Sequence, residues 1–261
     1  MKQIPNLFTL LNLVFGCIAI AFILQTGEAI VVLDNTGAVT INLPEKIWLG
    51  ALFIFAAAAV DFLDGFLARL MNVPSEMGKQ LDSLSDVVSF GVAPGMILFQ
   101  LLRLSYAQED NGLDISFLAL VPAFIFPVAA AWRLAKFNIS TDQSDSFRGV
   151  PSPAAGLVIA SLPLILQYNA PFRELVLNKW FLNGVILAIS WLMISNVRLM
   201  ALKFKDYSFR NNTMKYVLLI ISIGLIVFFK WAAVPLIFVA YLVCSLFAGK
   251  TASQGNLQSP M

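Results

Sequence analysis

The sequence predicts an all-α, polytopic transmembrane helix bundle, and two observations carry that prediction. Of the 261 residues, 59% are hydrophobic and only 12% charged, with a mean hydropathy of +0.82. Soluble domains lie near about 45–50% apolar and about 25% charged. Apolar runs long enough to cross a bilayer, roughly 17–25 residues, also recur along the chain. They fall at about 7–25, 46–70, 81–104, 116–137, 153–170, 180–199, 214–230 and 231–249. Eight helices follow, and Lys230-Trp231 must form a very tight turn between the last two.

The first run follows Lys2 like a secretory signal but lacks a clear small-x-small cleavage site. It carries polar Thr9 and Asn12, so it is expected to stay as a span. Trp48, Trp180 and Trp231 fall near predicted span ends and suit interfacial anchors. Cys17 and Cys244 lie far apart in apolar spans and are expected to pack, not to pair. There is no histidine, which removes the usual neutral-pH base and zinc ligand.

Loop charge gives the orientation. With the N terminus inside, Lys2, Arg69, Lys79, Arg133, Lys136, Arg148 and the basic run from Arg198 to Lys215 share one side, together with Lys250. The other side receives Lys46, Arg103, Arg173, Lys179 and Lys230, beside mildly acidic loops. Both termini are therefore expected in the cytoplasm, with the protein in the inner membrane. The net charge of +2 says little by itself, and no nucleic-acid partner is expected. Residues 1–250 read as one transmembrane domain, and 251–261 as a short disordered tail.

The stretch Asp61–Asp86, DFLDGFLARLMNVPSEMGKQLDSLSD, is the exception to this apolar pattern. An acid at the centre of a span costs roughly 2.5–3.5 kcal/mol on insertion scales, so four demand compensation. Asp61 and Asp64 are three apart and Asp82 and Asp86 four apart, which places each pair on one helix face. Packed side by side, the two helices bring four carboxylates to one pocket. Oxygen ligands without histidine or thiol suit one or two hard divalent cations, Mg²⁺ or Mn²⁺. A cation transporter would instead spread its acids along a path through several spans.

Asp61, Asp64, Gly65, Ala68, Arg69, Gly78, Asp82 and Asp86 together match every fixed position of D-x2-D-G-x2-A-R-x8-G-x3-D-x3-D. On that signature the chain resembles the CDP-alcohol phosphotransferases. The resemblance implies a six-helix core over about residues 4–210, with the two helices at about 214–249 added to it, and a homodimer. It implies that the first three aspartates hold one metal, that the first, third and fourth are associated with a second, and that Asp86 is the general base. A purely metal-ligating Asp86 is the alternative. Gly65 and Ala68 lie on the face of Asp61 and, with Gly78 in the turn before the third span, are expected to admit the nucleotide. Close helix packing would use the same small residues. Arg69 is expected on the diphosphate, unless it serves only as a positive anchor.

The opening IPNLFTLLNLVFG, with Pro5, Asn6, Thr9, Asn12 and Gly16, is similar to the serine-using, phosphatidylserine-forming branch of that family. So are LDSLSDVVSFGVAPG (81–95), RLAKFN (133–138), FRGVPSPAAG (147–156) and VRLMALKFKDYSF (197–209). Asn6 and Thr9 are placed with the nucleotide and diphosphate on this basis. CDP-diacylglycerol and L-serine are the substrates it implies, with CMP leaving by direct displacement. Serine needs a cation for its carboxylate, and Arg133, Lys136 and Arg148, with Asn138 as a polar neighbour, are the candidates. Topology or lipid contact would use the same cations. Glycerol phosphate or inositol phosphate is the alternative acceptor and would favour a denser arginine cluster.

Overall fold

The structure, a computed structural model, describes residues 4–24, 30–33, 39–42, 46–71, 76–108, 115–139, 147–200 and 212–255. Its first helix, α1 (Ile4–Leu24), leads through a short ribbon of β1 (Ile30–Leu33) and β2 (Val39–Asn42) into α2 (Ile47–Met71). The ribbon is antiparallel, pairing Ile30 with Asn42 and Leu33 with Val39. Hydropathy alone marks this segment only as a loop between spans. Its Ile-Val-Val-Leu and Val-Thr-Ile-Asn runs are rich in β-branched residues, which favour extended pairing.

The third span is longer than predicted. It begins at α3 (Glu76–Asp86), passes through a π-helical turn at Val87–Val92 and continues as α4 (Ala93–Tyr106). Glu76 sits in the first turn of α3, where an acid complements the helix dipole. Gly78 therefore lies within the helix and not in the turn before it. The π turn has a local cause. Pro94 has no N–H for the carbonyl of Phe90 and its ring crowds that carbonyl, which a wider turn relieves. The Ala93 N–H bonds Val88 O, five residues back.

This rod is the centre of the bundle. Within its most apolar window 61% of residues are buried, against 28% for the first span, 33% for the second and 17% for the stretch Thr213–Leu246. Phe90, Ile97, Leu98, Leu101 and Leu102 are fully buried in it. A Cβ at Gly95 would come within 2.9 Å of the Pro127 ring, so only glycine lets the rod meet α5 (Ile125–Ile139) this closely.

The fourth span starts as two 3₁₀ turns, Phe117–Ala119 and Val121–Phe124, before becoming α5. Pro122 stands at the second turn's start, which suits a helix beginning and not a helix interior. Next come β3 (Phe147–Arg148) and α6 (Ser152–Tyr168), then α7 (Arg173–Val176) and α8 (Lys179–Ile194). The sixth span stops five residues short of its predicted end. Ser195 turns extended at φ −62°, ψ 158°, and the chain enters β4 (Arg198–Leu199), which pairs with β3.

The last two spans are α9 (Thr213–Phe229) and α10 (Ala233–Gly255). α9, at 17 residues, falls within the length that crosses a bilayer, and the apolar stretch continues into α10 as far as Leu246. The tight turn predicted at Lys230-Trp231 is present. Lys230 takes φ 50°, ψ −119°, the one positive φ on a non-glycine among the described residues. α10 folds back along α9, and Asn169 after α6 caps the turn by donating to Phe229 O at 3.1 Å. Because α10 reaches Gly255, residues 251–255 of the expected disordered tail are helical. Residues 256–261 lie outside the described part. α9 turns Ile220, Val227 and Phe228 outward, 69%, 69% and 82% exposed. Such an apolar exterior fits lipid, not water, and the whole is an all-α, multi-pass membrane bundle.

Candidate active site

The carboxylates grow out of packing stripes. In α2, Ala51, Ile54 and Ala57 are fully buried at a spacing of three, and Asp61 and Asp64 continue that stripe toward the helix end. A Cβ at Gly50 would run into Ile23 and the carbonyl of Ala19, so α1 and α2 lie close at the other end. In α3 the inward positions are Asp82, Ser85 and Asp86, and Ser89 in the π turn extends them. The spacing of three and four is the helical one the sequence announced.

The first helix joins the two acidic ones. Thr9 Oγ1 donates to Asp64 Oδ2 at 2.8 Å, and Asn12 Nδ2 donates to Asp86 Oδ1 at 3.4 Å. In return, Ser85 Oγ donates to Thr9 O at 3.1 Å and Ser89 Oγ to Asn12 O at 3.0 Å. Gln100 Nε2 repeats the pattern on Ile23 O at 3.0 Å. A Cβ at Gly16 would collide with Ser89, so a glycine is needed for this contact. With no water in the hydrocarbon, such polar contacts hold helices where apolar burial alone does not.

Carboxylate oxygens of Asp61, Asp64 and Asp82 all lie within 4.8 Å of one another. Asp86, one turn beyond Asp82, interacts electrostatically with Asp61, Asp82 and Asp64. Asp64 is 5% and Asp86 7% exposed, while Asp61 and Asp82 are half-buried. Like charges this close repel strongly where water is scarce, so the group fits a divalent cation. Asn12 adds a second reason. It is fully buried, and its Oδ1 has no hydrogen-bond partner, which leaves a neutral oxygen beside the carboxylates. An all-oxygen donor set suits a hard ion.

The other residues singled out by the sequence divide. Asn6 is half-buried in the first turns of α1. Thr9, expected on the nucleotide, is 4% exposed and holds Asp64, so it supports a carboxylate. A Cβ at Gly65 would meet nothing within 4 Å, so there is open space at this position next to Asp64 in the chain. The side chains of Ala68 and Arg69 lie outside the described residues, and Gly78 is half-buried in α3.

Arg133 on α5 lies near enough to Asp86 to interact with it electrostatically. Its Nη1 donates to Ser152 Oγ at 3.2 Å, its guanidinium lies 5.8 Å from the Phe137 ring, and its Nε is buried without a partner. Lys136 donates to Asn196 Oδ1 at 2.8 Å. Asn138 Nδ2 donates to Ser83 Oγ at 2.7 Å, and its carbonyl accepts from Lys79 Nζ at 3.5 Å. These two therefore tie α5 to the end of α8 and to α3. The Arg148 side chain lies outside the described residues; its backbone pairs with that of Arg198.

Sequence reasoning misses Asn12 and Ser152 as site residues. Asn12 is legible in part, as a polar residue three after Thr9 on the same face. Ser152 gives no signal, because its role depends on where α6 begins relative to α5. The Thr9 contact has a measurable consequence. In Thr9→Val, which keeps shape and removes the donor, divalent-cation affinity is expected to fall by about 10-fold or more, read by titrating Mn²⁺ or Mg²⁺ against the thermal unfolding of detergent-solubilised protein.

Residues 2–195 match the sequence profile of the CDP-alcohol phosphatidyltransferase family. A CDP-diacylglycerol–serine O-phosphatidyltransferase of Helicobacter pylori is 36% identical over 196 residues, covering 74% of this chain and 70% of the relative. The enzyme of that name in Bacillus subtilis is 29% identical over 203 residues, covering 76% and 90%. That of Methanocaldococcus jannaschii is 36% identical over 146 residues, covering 56% and 60%. With four aspartates on two adjoining spans and a profile match over most of its length, this chain belongs to the CDP-alcohol phosphatidyltransferase family.

Proposed function

We propose that the protein transfers the phosphatidyl group of CDP-diacylglycerol to the hydroxyl of L-serine, forming phosphatidylserine and CMP. One observation carries the reaction class: oxygens of Asp61, Asp64 and Asp82, from two helices, within 4.8 Å of one another. The choice of serine rests on the relatives named above and on the cation at Arg133.

Asp61, Asp64 and Asp82, with Asp86 at the edge, would hold one or two divalent ions, Mg²⁺ or Mn²⁺. Bound there, such ions neutralise the diphosphate and the charge that develops on the leaving phosphate. The protein's own groups do the rest. Asp86 takes the proton of the serine hydroxyl as its oxygen forms the new bond to the phosphatidyl phosphorus. The bond from that phosphorus to the CMP oxygen breaks, and CMP departs. Asn12 holds Asp86 in place by one carboxylate oxygen, which orients it for the proton transfer.

Gly65 leaves room for the nucleotide beside Asp64, with Asn6, Ala68, Arg69 and Gly78 as its further neighbours. Arg133 is the best placed of the four acceptor candidates, because its Nε is unpaired and it interacts electrostatically with Asp86. It binds the serine carboxylate, while Lys136, Asn138 and Arg148 border the same end of the bundle. The reading also places the site on the cytoplasmic side of the inner membrane, in a homodimer, with residues 1–250 as one domain.

The test offers purified protein CDP-diacylglycerol and Mn²⁺ or Mg²⁺ with serine, glycerol 3-phosphate or inositol phosphate in separate reactions. CMP release only with serine is expected. Release with a phosphate-bearing alcohol instead would keep the reaction class and overturn the acceptor.

A further inference from the structure

The two C-terminal helices lie beyond the family match, which ends at residue 195, yet α10 reaches back to the acceptor side. Two hydroxyls one helical turn apart take both backbone groups of a single residue. Tyr241 Oη donates to Met200 O at 2.9 Å, and Ser245 Oγ accepts from Met200 N at 3.2 Å. Ser245 is 2% exposed, and Leu199, next to Met200, is also 2% exposed. The two hydroxyls therefore fix an irregular piece of backbone that water reaches poorly, where an unmade hydrogen bond is costly.

Met200 directly follows β4, and β4 holds β3. Phe147 pairs with Leu199, and Arg148 with Arg198. The chain leaves β3 through Gly149, whose φ of +73° suits glycine. Any Cβ there would press on the carbonyls of Met193 and Ser195. Gly149 N then donates to Val197 O at 2.9 Å and Val150 N to Leu192 O at 3.1 Å. Two residues later stands Ser152, fully buried, whose hydroxyl accepts from Arg133. An unbroken run of hydrogen bonds and chain thus links α10 to the guanidinium that interacts electrostatically with Asp86.

We propose that the C-terminal hairpin is a clamp for the acceptor side, with Tyr241 and Ser245 as positioning residues that set Ser152 and Arg133 through β4 and β3. This rests on the reading of Arg133 as the serine-carboxylate group. The clamp bears on the acceptor side, because the hydrogen bonds that tie Asp64 and Asp86 to α1 lie outside this path.

The experiment measures KM for serine, KM for CDP-diacylglycerol and kcat in full-length Tyr241→Phe, Ser245→Ala and Ser245→Thr, with Arg133→Lys as reference. Loss of one hydrogen bond is expected to raise KM for serine about five-fold in the first two, with KM for CDP-diacylglycerol unchanged. Ser245→Thr, which keeps the acceptor oxygen, should stay near wild type. A purely structural role would lower thermal stability and leave the serine KM alone, which overturns the clamp. If Arg133→Lys raises the serine KM but Tyr241→Phe does not, the clamp fails and the acceptor reading stands. If Arg133→Lys itself leaves it unchanged, the acceptor reading fails and the clamp with it. Should Ser245→Ala not yield folded protein, Tyr241→Phe decides, since it removes one oxygen from a half-buried ring.

Discussion

Asp82→Asn is expected to abolish CMP release, with kcat falling by at least about 10³-fold, or roughly 4 kcal/mol of barrier. The substitution is nearly isosteric, so α3 should keep its place. What changes is charge: one of three carboxylates whose oxygens lie within 4.8 Å of one another becomes a neutral amide. Stability should move in the opposite direction to activity. Without metal, removing one of several crowded like charges leaves the unfolding temperature unchanged or higher. In the wild type, Mn²⁺ or Mg²⁺ should raise that temperature, because an ion that binds only the folded state stabilises it. In Asp82→Asn that rise should largely vanish. Calorimetric or fluorescence unfolding with and without metal checks this independently of turnover. A variant that still shows the full metal-induced rise would place the ion elsewhere.

Arg133→Lys is expected to raise KM for serine by about 10- to 100-fold while changing kcat much less. Lysine keeps the positive charge but loses the planar fork, and it cannot hold Ser152 and offer a second N–H in fixed geometry. The present contacts define what is lost: Nη1 is committed to Ser152 Oγ, and Nε is buried with no partner. Arg133→Ala should go further and also unsettle the start of α6. Initial rates over a serine series at saturating CDP-diacylglycerol measure the effect. A rise in KM for CDP-diacylglycerol instead would reassign Arg133 to the diphosphate.

What is legible in the sequence follows from the strength of each physical signal. The spans are legible because lipid demands long apolar runs, and the i, i+3 and i, i+4 aspartates because a helix has only one face at that spacing. Even the turn at Lys230 follows from two spans abutting with no loop between them. The rest depends on partners distant in the chain. Nothing local at Thr9 says that its hydroxyl will meet Asp64, 55 residues away. The ribbon of β3 and β4 is two pairs long and exists because α8 ends early, which no periodicity reports. The π turn has its cause in Pro94, but periodicity alone does not report how the helix accommodates it. Lys136 and Asn138 resemble acceptor groups from their position alone, and only the packed structure gives them Asn196 and Ser83.

The Ser85, Ser89 and Gln100 contacts to the carbonyls of α1 bear on how the protein is made. Hydroxyl and amide donors in the third span complete a helix pair that has already left the ribosome. In chain order, Asp61 and Asp64 precede Asp82 and its serine neighbours, so α1 and α2 by themselves hold only the first pair of acids. The four-carboxylate cluster is therefore complete once the third span joins the first two, before the spans that follow it in the chain. A nascent chain arrested before that point carries Asp61 and Asp64 without the second pair of acids.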